Sequence, residues 1–431
     1  MSTGVSWGRW PRYDQRLIPI TNRYQPLPPA GPMLVFGNGR SYGDVCLNAE
    51  GTLLTTRSLD RFISFDAASG VLECEAGVLL SEIIALTLPR GWLPAVTPGT
   101  ALVTVGGAIA NDVHGKNHHR AGSFGNHLLG FELRRSSGET LRCAPDQHAD
   151  WFAATIGGLG LTGMISTARL QLRRVPGEWI AGDSQRFDNL QEFFALAAQS
   201  DAAYEYTVAW LDCTASGGKL GRGVFIRGNH VQHDARPPRA RSLRLPLTPP
   251  LSPVTGLSVR LFNELYFHRP AAQQARALWH YQPFLFPLDR LLDWNRLYGP
   301  RGFFQYQCLL PGTEAATALP EMLRRVARSR QASFLVVLKQ FGNLPSLGLL
   351  SFARPGVTLA LDFPNRGEPT LQLLESLDVI TRAAGGAVYP AKDARMAAQS
   401  FQQYFPAWRQ LQDYIDPKFS SSFWRRVTRS W

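Results

Sequence analysis

GGAIANDVHGKNHHRAGSFGN (residues 106–126) holds five glycines, three histidines and one lysine, with few bulky apolar side chains. Such a stretch builds no core of its own. Glycine removes the Cβ and lets a ligand approach the main chain. A second turn of the same kind, GNGRSYGD (residues 37–44), follows the apolar run PMLVF roughly 65 residues earlier. In each, small residues stand where a strand yields to a turn, and convergent backbone N–H groups there make a nest suited to a pyrophosphate. Two such loops favour a dinucleotide. The spacing matches neither a GxGxxG fingerprint with an acid about 20 residues on nor a Walker A loop.

Outward from these loops, the chain to about residue 175 reads as strand-rich with glycine punctuation. GVLECEAGVLLSEIIALTLPRGW predicts a strand and then an amphipathic helix that starts near Ser81 and ends at Pro89 and Gly91. GLGLTGMISTARLQLRRV predicts a turn and an alternating strand. Beyond about residue 180, helices such as FDNLQEFFALAAQS and GTEAATALPEMLRRVARS interleave with the strands YEYTVAWLDC, GFFQYQCLLPG, SFLVVLKQFG and VTLALDFPN. That is the pattern of an α+β sheet covered by helices. The last stretch, AAGGAVYPAKDARMAAQSFQQYFPAWRQLQDYI, reads as a strand, a loop and a helix.

A chain of 431 residues predicts two domains, and 45% hydrophobic residues mark it as globular. The longest apolar runs fall far short of a bilayer span, and the N-terminal residues lack the apolar core of a secretion signal. A cytoplasmic location is expected, with peripheral contact at the inner membrane. Five scattered cysteines without CxxC spacing suggest neither a disulfide framework nor a zinc site. The net charge of +12 suits a polyanion, an anionic membrane surface or a phosphorylated substrate. HDARPPRARSLRLPLTPPLSP (residues 233–253) reads as a long mobile loop, because its prolines exclude a helix or a central strand. In the C-terminal FSSSFWRRVTRSW, Arg425, Arg426 and Arg429 lie beside Phe423, Trp424 and Trp431, which suits a membrane interface or packing on the domain.

The polar candidates are few. His114 and His118 stand four apart, but Gly115 between them and the lack of an HExxH glutamate argue against a helical zinc site, and no metal is expected. Gln305 and Gln307 share one face of their strand. Lys339 interrupts an apolar strand and is costly there unless it is paired, reaches a cavity or snorkels from an edge.

These residues carry a resemblance. GNGRSYGD, VTVGGAIANDVHGKNHHRAGSFGNH, GGLGLTGMI, WNRLYGPRGFFQYQ, LKQFG, LDFPN and GGAVYPAKDAR occur in order along nearly the whole chain. They resemble the FAD-binding oxidases of the vanillyl-alcohol-oxidase type, in particular those acting on lipid-phosphate sugars. The resemblance implies an α+β two-domain fold. A discontinuous FAD domain, residues 1–177 with a returning segment 387–431, flanks a substrate domain, residues 178–386, of antiparallel sheet covered by helices. It implies a cofactor site made by Val35, Phe36, Gly37, Asn38, Gly39, Arg40, Ser41, Tyr42, Gly43, Asp44 and Val45, continued by Gly99, Thr104, Val105, Gly106, Gly107, Asn111, Asp112, Val113 and His114. Ile165 and Tyr389 complete it. Many relatives link FAD covalently to a histidine in the first loop. Here Arg40, Ser41, Tyr42 and Gly43 stand there, so non-covalent FAD is expected.

The implied reaction oxidises the C2 hydroxyl of a polyprenyl-phosphate pentose to the 2-keto sugar, the first half of an epimerisation to the arabinose form. Lys116, Gln305, Gln307 and Lys339 are the implied substrate residues, and Lys392, His114 and Tyr42 the candidates for the proton transfer. A quinone-like electron acceptor and a separate short-chain reductase are the implied partners, and nucleic acid is not among them. Where mycobacterial members carry a cysteine, two residues before the Asp of DFP, this chain has Ala360. The rival readings are an aldonolactone- or alditol-type oxidase of free sugars and a non-catalytic binder of anionic lipid or nucleic acid.

Overall fold

The computed structural model describes residues 4–238 and 242–428. The first half holds two sheets. Arg16–Pro19, Thr52–Thr55 and Met33–Phe36 form a small parallel sheet with Thr52–Thr55 in the middle, so the end of Met33–Phe36 delivers the first glycine loop from its edge. The second sheet is antiparallel and runs Phe62–Asp66, Val71–Glu75, Met164–Arg174, Leu128–Arg134, Thr140–Cys143. Its long central strand, Met164–Arg174, also pairs at its far end with Trp92–Pro94. The helix expected near Ser81 is Leu80–Thr87, closed by a turn over Leu88–Arg90, after which Gly91 takes φ +79°.

The second half is built on one eight-stranded sheet with every neighbour antiparallel. Its order is Gln274–His280, Trp179–Phe187, Gly223–Val231, Tyr206–Leu211, Val336–Phe341, Gly356–Pro364, Phe303–Leu310, Ala387–Val388. Side chains alternate across a strand. Phe304, Tyr306 and Cys308 therefore point into the main core, with the helices Leu190–Ser200, Gly312–Arg328 and Glu368–Ala383. Gln305 and Gln307 point the other way, to the cavity between the halves. In Gly312–Arg328 the buried residues Ala315, Leu319, Met322, Leu323 and Val326 recur at helical spacing, which fixes the face laid on the sheet.

After Ala387–Val388 the chain crosses back to the first half. Tyr42 N donates to Ala391 O at 2.9 Å, and Ser420 N donates to Met33 O at 3.0 Å. The single helix expected in this segment is two, Ala398–Tyr404 and Trp408–Leu411, because Pro406 cannot continue the first.

The aromatic and basic tail is packed, not presented. Phe423 and Val427 are fully buried and Trp424 nearly so. Arg426 forms a two-pronged ion pair with the buried Asp44 and also reaches Asp393, and Arg425 Nη1 donates to Asn48 Oδ1 at 2.8 Å. Of the tail residues singled out in the sequence, Arg429 and Trp431 lie outside the described residues. The proline-rich stretch is also more anchored than a loop: Leu243–Arg244 pairs in parallel with Leu291–Leu292, and Arg296 Nη1 donates to the carbonyls of Leu245 and Pro246. Residues 239–241 of it fall outside the description. No helix among the described residues is long and apolar enough to cross a membrane.

Candidate active site

A cavity of about 830 Å³ lies between the two halves, in the size range of cofactor and ligand sites. The two glycine loops form its inner wall, and Thr104 holds them together. Its Oγ1 caps the short helix Val105–Ala110 by accepting from Gly107 N at 3.2 Å. A Cβ on Gly37 would stand 2.4 Å from the same oxygen, so a side chain at residue 37 would displace the Thr104 cap. Asn38 Nδ2 donates to Leu102 O at 2.7 Å, a second tie between the loops. Among the described residues, no acceptor takes the amide protons of Asn38, Gly39, Arg40 or Ser41. The buried Asn111 Oδ1 and His114 Nδ1 also lack partners. A Cβ added to Gly99 would meet nothing within 4 Å, so the wall is open there to a bound group. Free amides on a glycine loop, an open glycine and orphaned buried polar atoms fit a dinucleotide such as FAD.

Most residues expected at the cofactor line this cavity: Val35, Gly37, Asn38, Gly39, Arg40, Ser41, Tyr42, Val45, Gly99, Thr104, Gly106, Gly107, Asn111, Val113, His114, Ile165 and Tyr389. Five do not. Phe36 packs with Leu34, Leu47 and Leu53, and Val105 is in the core. Gly43 abuts Asp393 and Ala394, and Asp44 pairs with Arg426. Asp112 is a buried brace that accepts from Gly125 N at 2.8 Å and Ser351 Oγ at 2.5 Å. Strand alternation and the turn of the loop direct these side chains away from the cavity.

The outer wall brings Lys116, Gln305, Gln307, Lys339 and Lys392 together with His114 and Tyr42. Lys339 is not at an edge. Its strand lies between Tyr206–Leu211 and Gly356–Pro364, and its Nζ is 3.5 Å from Gly115 O. Burial pulls its pKa down to about 8. Burial, with Lys339 as neighbour, lowers Lys116 to about 7, and Lys116 Nζ donates to Leu285 O at 2.7 Å.

The hydrogen bonds set the state of His114. Thr358 Oγ1 donates to Cys308 O at 2.8 Å, so it accepts from Gln307 Nε2 at 3.1 Å. The other amide proton of Gln307 then goes to His114 Nε2 at 2.9 Å. His114 is thus a neutral imidazole with its proton on Nδ1. Burial first, and then Lys339, push its pKa well below the ordinary histidine value. His118 and His119 face elsewhere: His118 stacks on Phe341, and His119 Nε2 bonds Tyr204 O at 2.9 Å.

Lys392 Nζ lies 3.8 Å from the centre of the Tyr42 ring. Beside it is a carboxylate that the motif reading left without a role. Asp362 stands directly across the ladder from Gln305, whose Nε2 donates to Asp362 Oδ1 at 2.5 Å. Asp362 is fully buried, and its Oδ2 has no partner. Burial lowers the pKa of Lys392 and Asp362 opposes that fall, while burial raises the pKa of Asp362. Tyr42 is held well above the ordinary phenol value by burial and then by Asp362. Asp289, which accepts from Ala101 N at 2.8 Å, and Trp294 also line the cavity; Asp289 carries no sequence signal, and Trp294 opens the motif WNRLYGPRGFFQYQ without being singled out there.

Residues 30–144 match a family described as FAD binding domain. The chain is 35% identical to the decaprenylphosphoryl-β-D-ribose oxidase of Mycolicibacterium smegmatis over 409 residues, covering 91% of this chain and 88% of that protein. It belongs to the decaprenylphosphoryl-β-D-ribose oxidase family. Members of this family share the α+β vanillyl-alcohol-oxidase-type fold, and the chain is a FAD-dependent oxidoreductase. A Streptomyces coelicolor protein described by its place in the mprA 5′ region is 35% identical over 81% of this chain and all of its own length. Cytokinin dehydrogenase 3 of Arabidopsis thaliana is 28% identical over 35% of this chain and 29% of its own length.

Proposed function

We propose that this chain oxidises the C2 hydroxyl of a polyprenyl-phosphate pentose to the 2-keto sugar, the first half of an epimerisation from the ribo to the arabino form. The carrying observation is the convergence of Lys116, Lys339 and Lys392 on one cavity behind the glycine loops. Three amines facing one cavity suit a phosphate-bearing sugar better than a neutral one. The name of the Mycolicibacterium relative supports the same substrate class.

In this reading residues 1–177 and 387–431 hold the FAD, and residues 178–386 bind the sugar. Bound FAD supplies the two-electron acceptor for the alcohol C–H bond. Lys392 takes the hydroxyl proton, because burial favours its neutral amine and Asp362 returns part of the cationic character once the proton is bound. Tyr42 suits the task less, since its phenol is hard to ionise. His114 presents an N–H at Nδ1 and serves as a donor to an oxygen. Gln305, Gln307 and Lys339 orient the sugar, and Lys116 meets the phosphate. A quinone-like compound reoxidises the flavin, and a short-chain reductase completes the epimerisation.

Anaerobic flavin bleaching across phosphorylated and free pentoses tests this reading. Bleaching by a prenyl-phosphoribose alone is expected. Bleaching by free alditols or aldonolactones, with none by the lipid phosphate, overturns it in favour of a free-sugar oxidase.

A further inference from the structure

The helix Gly256–His268 carries an uncovered apolar stripe. Leu257, Leu261 and Leu265 recur every fourth residue and are 62–80% exposed, while Val259, Asn263 and Phe267 on the other side are buried. The segment leading into the helix adds Leu243, Leu247 and Leu251, each 71–83% exposed. Among the described residues, the only other large apolar side chain above 60% exposed is Tyr24. Scattered single leucines need no explanation, but a concentrated stripe marks an interaction surface.

The helix that carries the stripe also borders the cavity. Phe262 and Tyr266 of the same helix, Arg269 just after it and Arg244 before it all line that cavity. Charge selects the occupant. Residues 232–280 contain seven arginines and two acids. One acid, Glu264, is taken up by Arg222 and His268. Arg236, Arg260 and Arg276 are exposed, and Arg244 remains two-thirds exposed despite its contact with Asp293. A second copy docking through this face would set arginine against arginine. Exposed leucines with Arg244 beside Leu243 and Arg260 on the same helix match an anionic bilayer, with apolar side chains in the acyl boundary and cations at the headgroups.

We infer that the surface formed by residues 243–265 seats on an anionic bilayer, so that the cavity opens at the membrane and a lipid-anchored sugar phosphate enters without leaving it. The inference rests on the lipid-phosphate reading of the site.

Flotation of the FAD-loaded protein with phosphatidylglycerol-containing and pure phosphatidylcholine vesicles tests it. The wild type is expected to float with the anionic vesicles only. The variant Leu257→Glu, Leu261→Glu, Leu265→Glu should lose roughly tenfold or more of that binding. A second variant, Leu247→Glu with Leu251→Glu, leaves the helix intact and should also lose binding, which guards against misfolding of the first. Wild type that stays unbound, equal binding to neutral vesicles, or both variants floating like wild type overturns the inference. A protein partner covering this face gives the first of these outcomes. Flavin bleaching by a soluble short-prenyl phosphoribose runs alongside in each protein. Its absence in the wild type overturns the substrate reading, whatever the vesicles do.

Discussion

Asp362 lies within electrostatic reach of Lys392, placed there by the antiparallel pairing with Gln305, whose amide holds the carboxylate. If Lys392 is the base, its neutral form is the active one. Flavin reduction then rises with pH through the depressed lysine pKa and levels off above it. Lys392→Ala should keep FAD stoichiometry yet slow substrate-driven reduction by roughly 100-fold or more, the scale of a positioned acid–base group. Stopped-flow on the FAD-loaded variant measures it, and a rate within a few-fold of wild type removes Lys392 from the mechanism. Asp362→Asn removes the charge that props up the lysine pKa. The acid limb of its pH profile should therefore move to lower pH; a slower rate with an unmoved limb would mean that Asp362 is only structural. Tyr42 stands where a linking histidine would be, with its ring under the Lys392 amine. Acid precipitation is thus expected to release all the flavin, and colour in the pellet would contradict non-covalent binding. Lys339 was legible in the sequence because a charge inside an apolar strand is conspicuous, whereas Lys116 and Lys392 sit outside the strands and were reached only through the resemblance. Asp362 was not, since an acid ending VTLALDFPN looks like any strand-end residue until the ladder register is known.

The C-terminal helix Ser422–Thr428 shows the limit of reading composition as function. Tryptophan and arginine together describe a membrane anchor and an internal clasp equally well, and only burial separates them. Here Arg426 neutralises Asp44 from the first glycine loop and Asp393 from the segment beside Lys392. Arg426→Ala leaves two buried carboxylates without their partner, which costs about 3–5 kcal/mol. Denaturant unfolding of the FAD-loaded protein should register that loss, and a change below about 1 kcal/mol would show that water replaces the guanidinium, as at an exposed pair. The strands and the Leu80–Thr87 helix were legible from periodicity and punctuation. Two features were not. Pro406 divides a helix that its flanking pattern joins, and the proline-rich stretch finds a two-residue partner strand far away in sequence.

At the scale of the whole molecule, the cavity takes one wall from the glycine loops, one from the large sheet and a strip from residues 389–392. FAD that touches all three ties them together. Its removal should lower the unfolding midpoint, and free FAD at 100 times its dissociation constant should restore about 2.7 kcal/mol. A thermal scan against FAD concentration measures this, and a midpoint indifferent to FAD would mean that the folded protein does not bind the cofactor reversibly. The two-domain fold and the cofactor were legible because glycine loops and long ordered motifs survive as local signals. The meeting of the three walls was not, because it depends on contacts between residues hundreds of positions apart. The bond from Tyr42 N to Ala391 O has a consequence for how the protein is made. The ribosome delivers the glycine loops long before the residues that close over them, and domains organise in the order they emerge. The nascent chain therefore carries an open, half-built nucleotide cradle through most of its synthesis, and loading with flavin is a late event in its biogenesis.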